Sequence, residues 1–207
     1  MNEEEGIALA YAPSRCRDAL TALWAYDAAL GRVVVTTTDL MIGQMRLTWW
    51  YDRMIGLYAG EVPAEPVIVA LHDVVRNHDV TGAMLAGLVE GWEMLLEPLP
   101  LGVDVLRDYA VRRGDGLFAV AARVLGAPVT AGTGAGWALV DFAGHCSDAQ
   151  TAERAWALAG DMLGAAPIRG PKMLRILARV ARAKAMRPFA HIAMPVSRWT
   201  IARAVLS

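Results

Sequence analysis

GQMRLTWW, residues 43–50, sets an arginine and two adjacent tryptophans in one helical register, a costly grouping that asks for partners. Ile42, Met45, Trp49 and Met54 fall near three- or four-residue steps. Arg46 lies three and four residues before Trp49 and Trp50, so its guanidinium can stack on an indole face. A guanidinium among apolar neighbours needs an anionic or aromatic partner. The stretch therefore predicts a helix with Arg46 turned inward, or at a cavity rim, against Trp49, Trp50 or an acid.

Outward from this block the chain reads as helix after helix. Ala, Leu, Met and Arg dominate, β-branched runs are short, and Gly and Pro punctuate the pattern. Helices are predicted near 14–30, 39–59, 64–78, 81–97, 103–125, 133–146, 148–164, 171–187 and 197–206. Breaks fall at Gly60 to Pro66, Pro98 to Gly102, Gly126 to Gly136 and Pro167 to Pro171, none long enough for an interdomain linker. Val33 to Thr38 reads as a loop between the first two helices. The expectation is an all-α single domain over 1–207, its helices around a central apolar cavity.

The 207 residues suffice for one full core without disulfide or metal staples. Hydrophobic residues make up 56% and mean hydropathy is +0.34, yet no stretch approaches the roughly 18 uninterrupted apolar residues of a spanning helix. The acidic start, MNEEEG, is the reverse of a secretory or transit signal, so a cytoplasmic location is expected. Cys16 and Cys146 have no metal-ligand spacing and read as small buried hydrophobes. The net charge of −1 conceals a division: no Asp or Glu follows Asp161, while nine Lys and Arg do. Within that tail Lys172, Arg175, Arg179 and Arg182 line one face of a helix, a surface suited to solvent or to peripheral contact with anionic lipid. Aromatic interleaving and a recognised module are lacking, which argues against nucleic acid.

Three further blocks continue from the first: WYDRMIGLYAGEVPAEPVIVAL (50–71), LVEGWEMLLEPLP (88–100) and DYAVRRGDGLFAVAARVLG (108–126). In that order and at those intervals the chain resembles the squalene/phytoene synthase family of all-helical isoprenoid synthases, over about residues 19–165, with 166–207 as a basic helical tail. The resemblance implies a C-terminally shortened isoprenoid-synthase bundle. It also implies a chemistry, the ionisation of a prenyl diphosphate with magnesium held by carboxylates from two facing helices.

The carboxylates that chemistry needs are largely missing. A D-x-x-x-D spacing puts two acids on one helix face, where they can share a metal. At the family's first such position Asp27 stands alone, because the residue four later is Gly31. At the second, 153–167, Glu153 and Asp161 are eight apart. In the block whose family form reads G-x-E-x-D-L, Gly91, Glu93 and Leu96 are present but Leu95 replaces the aspartate. Substitutes are few. Asp104 and Asp108 sit at a helix start, where capping explains them, and Glu90, Glu93 and Glu97 form an acidic helix face. Tyr109, Arg112 and Arg113 fall where the family has a Tyr-containing helix beside its substrate cavity. Gly114 and Gly116 mark close helix packing or a kink, and Trp92 and Trp137 read as core anchors.

Two functions follow. The first is a binding or assembly protein on this scaffold with degenerate metal motifs and no cofactor. It would handle a prenyl lipid or prenyl diphosphate, or meet a protein partner in respiratory-complex assembly, and Arg46, Trp49, Trp50, Tyr109 and Arg112 are its candidate ligand contacts. The stretch from Leu23 to Leu71 is similar in this respect to the family's branch of mitochondrial complex I assembly factors. The second is an active head-to-head prenyltransferase that uses magnesium through Asp27, Glu93 and Asp161.

Overall fold

The computed structural model describes residues 2–58, 64–164 and 167–189. Among these there are ten α-helices and no strand: α1 (Glu3–Leu9), α2 (Ser14–Thr36), α3 (Leu40–Ile55), α4 (Pro66–Asn77), α5 (Gly82–Glu93), α6 (Val103–Tyr109), α7 (Gly116–Leu125), α8 (Thr133–His145), α9 (Ala149–Gly164) and α10 (Lys172–Ala185). A π-helical segment, Ala110–Asp115, joins α6 to α7 without a break, and one-turn 3₁₀ segments follow α3 and α5. The predicted helix at 197–206 lies outside the described residues.

Local chemistry sets most boundaries. The Asp39 carboxylate accepts the Ile42 N–H at 3.1 Å and Thr81 Oγ1 accepts the Met84 N–H at 3.3 Å, capping α3 and α5. Gly126, at φ 71°, ends α7 in the left-handed conformation that suits glycine. Two boundaries differ from the sequence reading. The acidic start forms α1, closed by a capping box between Asn2 and Glu5. And α2 runs on through the expected loop to Thr36. Its β-branched end is held by Val33, which is buried, and by the Thr36 and Thr37 hydroxyls, which donate back to the Arg32 and Val33 carbonyls at 2.6 Å each.

The core gathers where α2, α5, the π segment and α8 meet, with α3 against α5 and α10 against α8 and α9. Backbones come very close there. A Cβ on Gly114 would lie 2.2 Å from the Gly134 carbonyl oxygen, and one on Gly134 would meet Gly114 in the same way, so the π segment and α8 cross at a glycine-only contact. That is the close packing expected of Gly114. Asp115 completes the junction by accepting the Gly132 and Ala135 N–H groups at 2.8 and 2.9 Å, which caps α8.

Candidate functional site: a buried arginine on the lone aspartate

The buried stripe of the α6–π–α7 rod is Leu106, Tyr109, Ala110, Arg113, Gly114, Leu117 and Phe118, a continuous three-four pattern with one charged residue in it. Arg113 is 3% exposed. Arginine keeps its charge in proteins, so burial on this scale requires compensating anions. Two other helices supply them. Arg113 Nε and Nη2 donate to Asp27 Oδ1 and Oδ2 of α2 at 3.0 and 2.8 Å, a bidentate fork, and Nη2 also reaches Asp141 Oδ2 of α8 at 2.7 Å. Nη1 donates to the Tyr109 hydroxyl oxygen at 2.5 Å. The guanidinium lies 4.3 Å from the Trp92 ring centre and 5.1 Å from that of Trp137, so indoles from α5 and α8 contact the same cation.

Asp27 is as fully engaged as its partner. Besides Arg113, its Oδ1 accepts the Trp92 indole N–H at 2.8 Å, and the residue is 4% exposed. Burial by itself would lower the pKa of Arg113, but Asp27, the Tyr109 oxygen and Asp141 outweigh it and hold the group well above its ordinary value. Burial pushes the Tyr109 phenol well up, against the pull of Arg113. Glu5 of α1 feels the same centre. Its burial raises its pKa, the Asn2 N–H lowers it, and the charges of Asp141 and Asp27 raise it further.

This arrangement does not fit a divalent cation. Both Asp27 oxygens are taken by a resident cation that cannot give up its charge. Gly31, where the family's second aspartate belongs, has its side-chain volume occupied, since a Cβ there would lie 2.9 Å from the Trp92 ring. Glu153 and Asp161 are exposed on α9, whereas Asp27 is buried. Among the described residues, no group of three or more His, Cys, Asp or Glu side chains is placed to hold a metal.

The other candidates disperse. Tyr109 joins the centre and is fully buried. Its neighbour Arg112, the arginine chosen from sequence, faces outward and pairs with Glu90, while Arg113 goes in; the three-four stripe from Leu106 to Phe118 decides between them. Glu93 is half-buried and Glu97 exposed. Arg46 is not turned inward. It is exposed, and its Nη1 donates to the Thr37 and Thr36 hydroxyls at 2.8 and 3.3 Å rather than stacking on Trp49 or Trp50. Arg53 takes the stacking place, 5.6 Å over Trp49. The inward stripe of α3 is Gly43, Leu47, Trp50 and Met54, because Gly43 admits Leu96 and Trp50 packs on Tyr26, which leaves Ile42, Met45 and Trp49 outside. On α10 Lys172 is exposed and lies 4.5 Å over the Tyr11 ring, whereas Arg175, Arg179 and Arg182 are half-buried. The acidic α1 packs against α10, and Lys184 pairs with Glu4 at 2.8 Å, so the basic face is partly covered.

An all-helical bundle that carries these blocks in this order is of the isoprenoid-synthase class of fold. The chain belongs to the squalene/phytoene synthase family, whose model matches residues 6–168. Its fold is similar to that of a dehydrosqualene synthase solved in complex with ligand, at a TM-score of 0.68 and 14% identity, covering 99% of this chain and 90% of that one. Among curated proteins it is similar to NADH dehydrogenase (ubiquinone) complex I, assembly factor 6. The Mus musculus and Homo sapiens proteins are each 26% identical over 115 residues, and the Bos taurus protein 25%. These matches cover 55% of this chain, which spans about a third (34%) of each relative.

Proposed function

We propose that this chain is a non-catalytic member of its family that acts by binding, as an assembly protein for a respiratory complex. The observation that carries this is the closure of the Asp27 centre. The one carboxylate retained from the family's first acidic motif is neutralised by Arg113, and the place of its missing partner is filled by Trp92. A leaving diphosphate needs concentrated positive charge facing open space; here the positive charge faces two carboxylates in the interior. The likeness to the complex I assembly factors supports an assembly role over a prenyl-transfer role. A prenyl chain remains the ligand class nearest to the family's, and no cofactor enters. The site of action is the cytoplasmic face of a membrane, held peripherally, with Lys172 and the half-buried Arg175, Arg179 and Arg182 as the lipid-side charges.

Incubation of the purified protein with magnesium and farnesyl diphosphate tests the catalytic half, and no pyrophosphate release above the protein-free blank is expected. Turnover abolished by Asp27→Ala would favour the prenyltransferase instead. The assembly half is read in the source organism by native-gel analysis of its NADH dehydrogenase after deletion of the gene. Loss of the assembled complex is expected, and an unchanged complex counts against the proposal.

A further inference from the structure

The outer face of α3 has no role in the core or in the Asp27 centre. Met41, Ile42, Met45 and Trp49 follow one another at helical steps along it and are 70, 53, 67 and 39% exposed. At the adjoining end of α2, Val35 is 82% exposed. Single exposed apolar residues are ordinary, but a stripe of this length is characteristic of a contact surface. Its composition is that of an interface core, rich in Met, Trp and Arg, and no Lys or Glu occurs between residues 33 and 58.

Charge identifies the class of partner. Arg46 and Arg53 are seven residues apart, so they share one edge of the stripe, two turns and about 10.5 Å apart along the axis. Both are held in place, Arg46 by the Thr36 and Thr37 hydroxyls and Arg53 over Trp49. Over α3 as a whole Asp39 and Asp52 balance Arg46 and Arg53, which gives an anionic bilayer little to attract, but the charges are separated across the face: Asp52 lies seven residues beyond Met45, on the side of the stripe away from the arginine edge. An antiparallel two-fold pairing of this chain would set the arginine edge against itself. What complements the face is an apolar helix with carboxylates seven residues apart along one edge.

We propose that the outer face of α3 is a docking surface for an amphipathic helix of another protein, with Met41, Met45 and Trp49 as its apolar floor and Arg46 and Arg53 as its acid-reading edge. This rests on the reading of the chain as a binding protein and names the surface and the chemistry of its partner.

The test uses the full chain and two designed peptides of about 20 residues, long enough to hold a helix. They share one Leu/Ala stripe and carry either Glu or Lys at positions i and i+7 of one edge. The Glu peptide is expected to bind about tenfold or more tighter than the Lys peptide. Met45→Asp should abolish binding, and Arg46→Glu with Arg53→Glu should reverse the preference. All of these substitutions are on the surface, and circular dichroism checks that each variant is folded. Failure to bind either peptide, equal binding of the two, self-association of the chain that Met45→Asp removes, or binding to anionic vesicles that Met45→Asp removes would each overturn the proposal. Such a failure is distinguishable from failure of the non-catalytic reading, which is decided by pyrophosphate release alone.

Discussion

Two groups of arginine and tryptophan in this molecule invite the same reading and have opposite environments. On α3, Arg46 and Arg53 accompany Trp49 at the surface. At the junction of α2, α5, the π segment and α8, Arg113 lies among Trp92 and Trp137 with almost no exposure. What separates them is the supply of carboxylates. Arg113 receives Asp27 and Asp141 from helices 86 and 28 residues away in sequence, while the arginines of α3 meet hydroxyls and an indole of their own neighbourhood. A guanidinium can be interior where distant chain brings anions to it; otherwise it stays in water and snorkels along its neighbours.

The difference should be large in stability. Arg113→Met leaves Asp27 and Asp141 facing each other without a cation, and a loss of about 3–5 kcal/mol is expected by urea denaturation. A loss below about 1 kcal/mol would mean that the junction does not depend on the pair. Next in size is Gly31→Asp, which restores the D-x-x-x-D spacing on paper. Because the Trp92 ring occupies that position, it should cost about 1–3 kcal/mol through overpacking, with no recovery on adding magnesium. Magnesium-dependent stabilisation of this variant would show that the site can still open.

A smaller effect concerns Glu5, which burial and the nearby Asp141 and Asp27 hold above the ordinary carboxylate range. The folded state then binds this proton more tightly than the unfolded chain. The resulting stability is fully present below the ordinary glutamate pKa and is lost as pH rises through the raised one. Glu5→Gln keeps the capping-box acceptor and removes the charge. It should therefore raise stability at neutral pH, by less than either loss above, and flatten the pH dependence just above the ordinary glutamate range. A variant as pH-dependent as the parent would remove Glu5 from the centre's electrostatics. Least of all, Met45→Asp on α3 should change stability by no more than about 0.5 kcal/mol, the mark of a face exposed among the described residues.

Much of this was legible in the sequence. The all-α class, nine of the ten described α-helices, which correspond to eight predicted spans, and the family followed from periodicity and from blocks in order. The decay of the metal motifs could be read from Gly31 and Leu95 alone. What could not be read was which face of α3 goes in, because apolar residues at helical steps occur on both sides; Gly43, small enough to admit Leu96, decides it. The choice of Arg112 over Arg113 was avoidable, since Arg113 is four residues from both Tyr109 and Leu117 and so continues the apolar stripe. Asp141 carried a signal as well, a lone acid within the apolar run of α8, but nothing local says that its partner is on another helix.

The non-catalytic role depends on Asp27 being satisfied by Arg113. The most direct measurement is a double-mutant cycle on folding stability with Asp27→Asn, Arg113→Met and the two combined. The double variant should be less destabilised than the sum of the singles by about 1–3 kcal/mol, because each single change strands the other member of the pair, whereas the double change leaves only the less buried Asp141 without its cation. Additive effects, or an Asp27→Asn variant as stable as the parent, would contradict it.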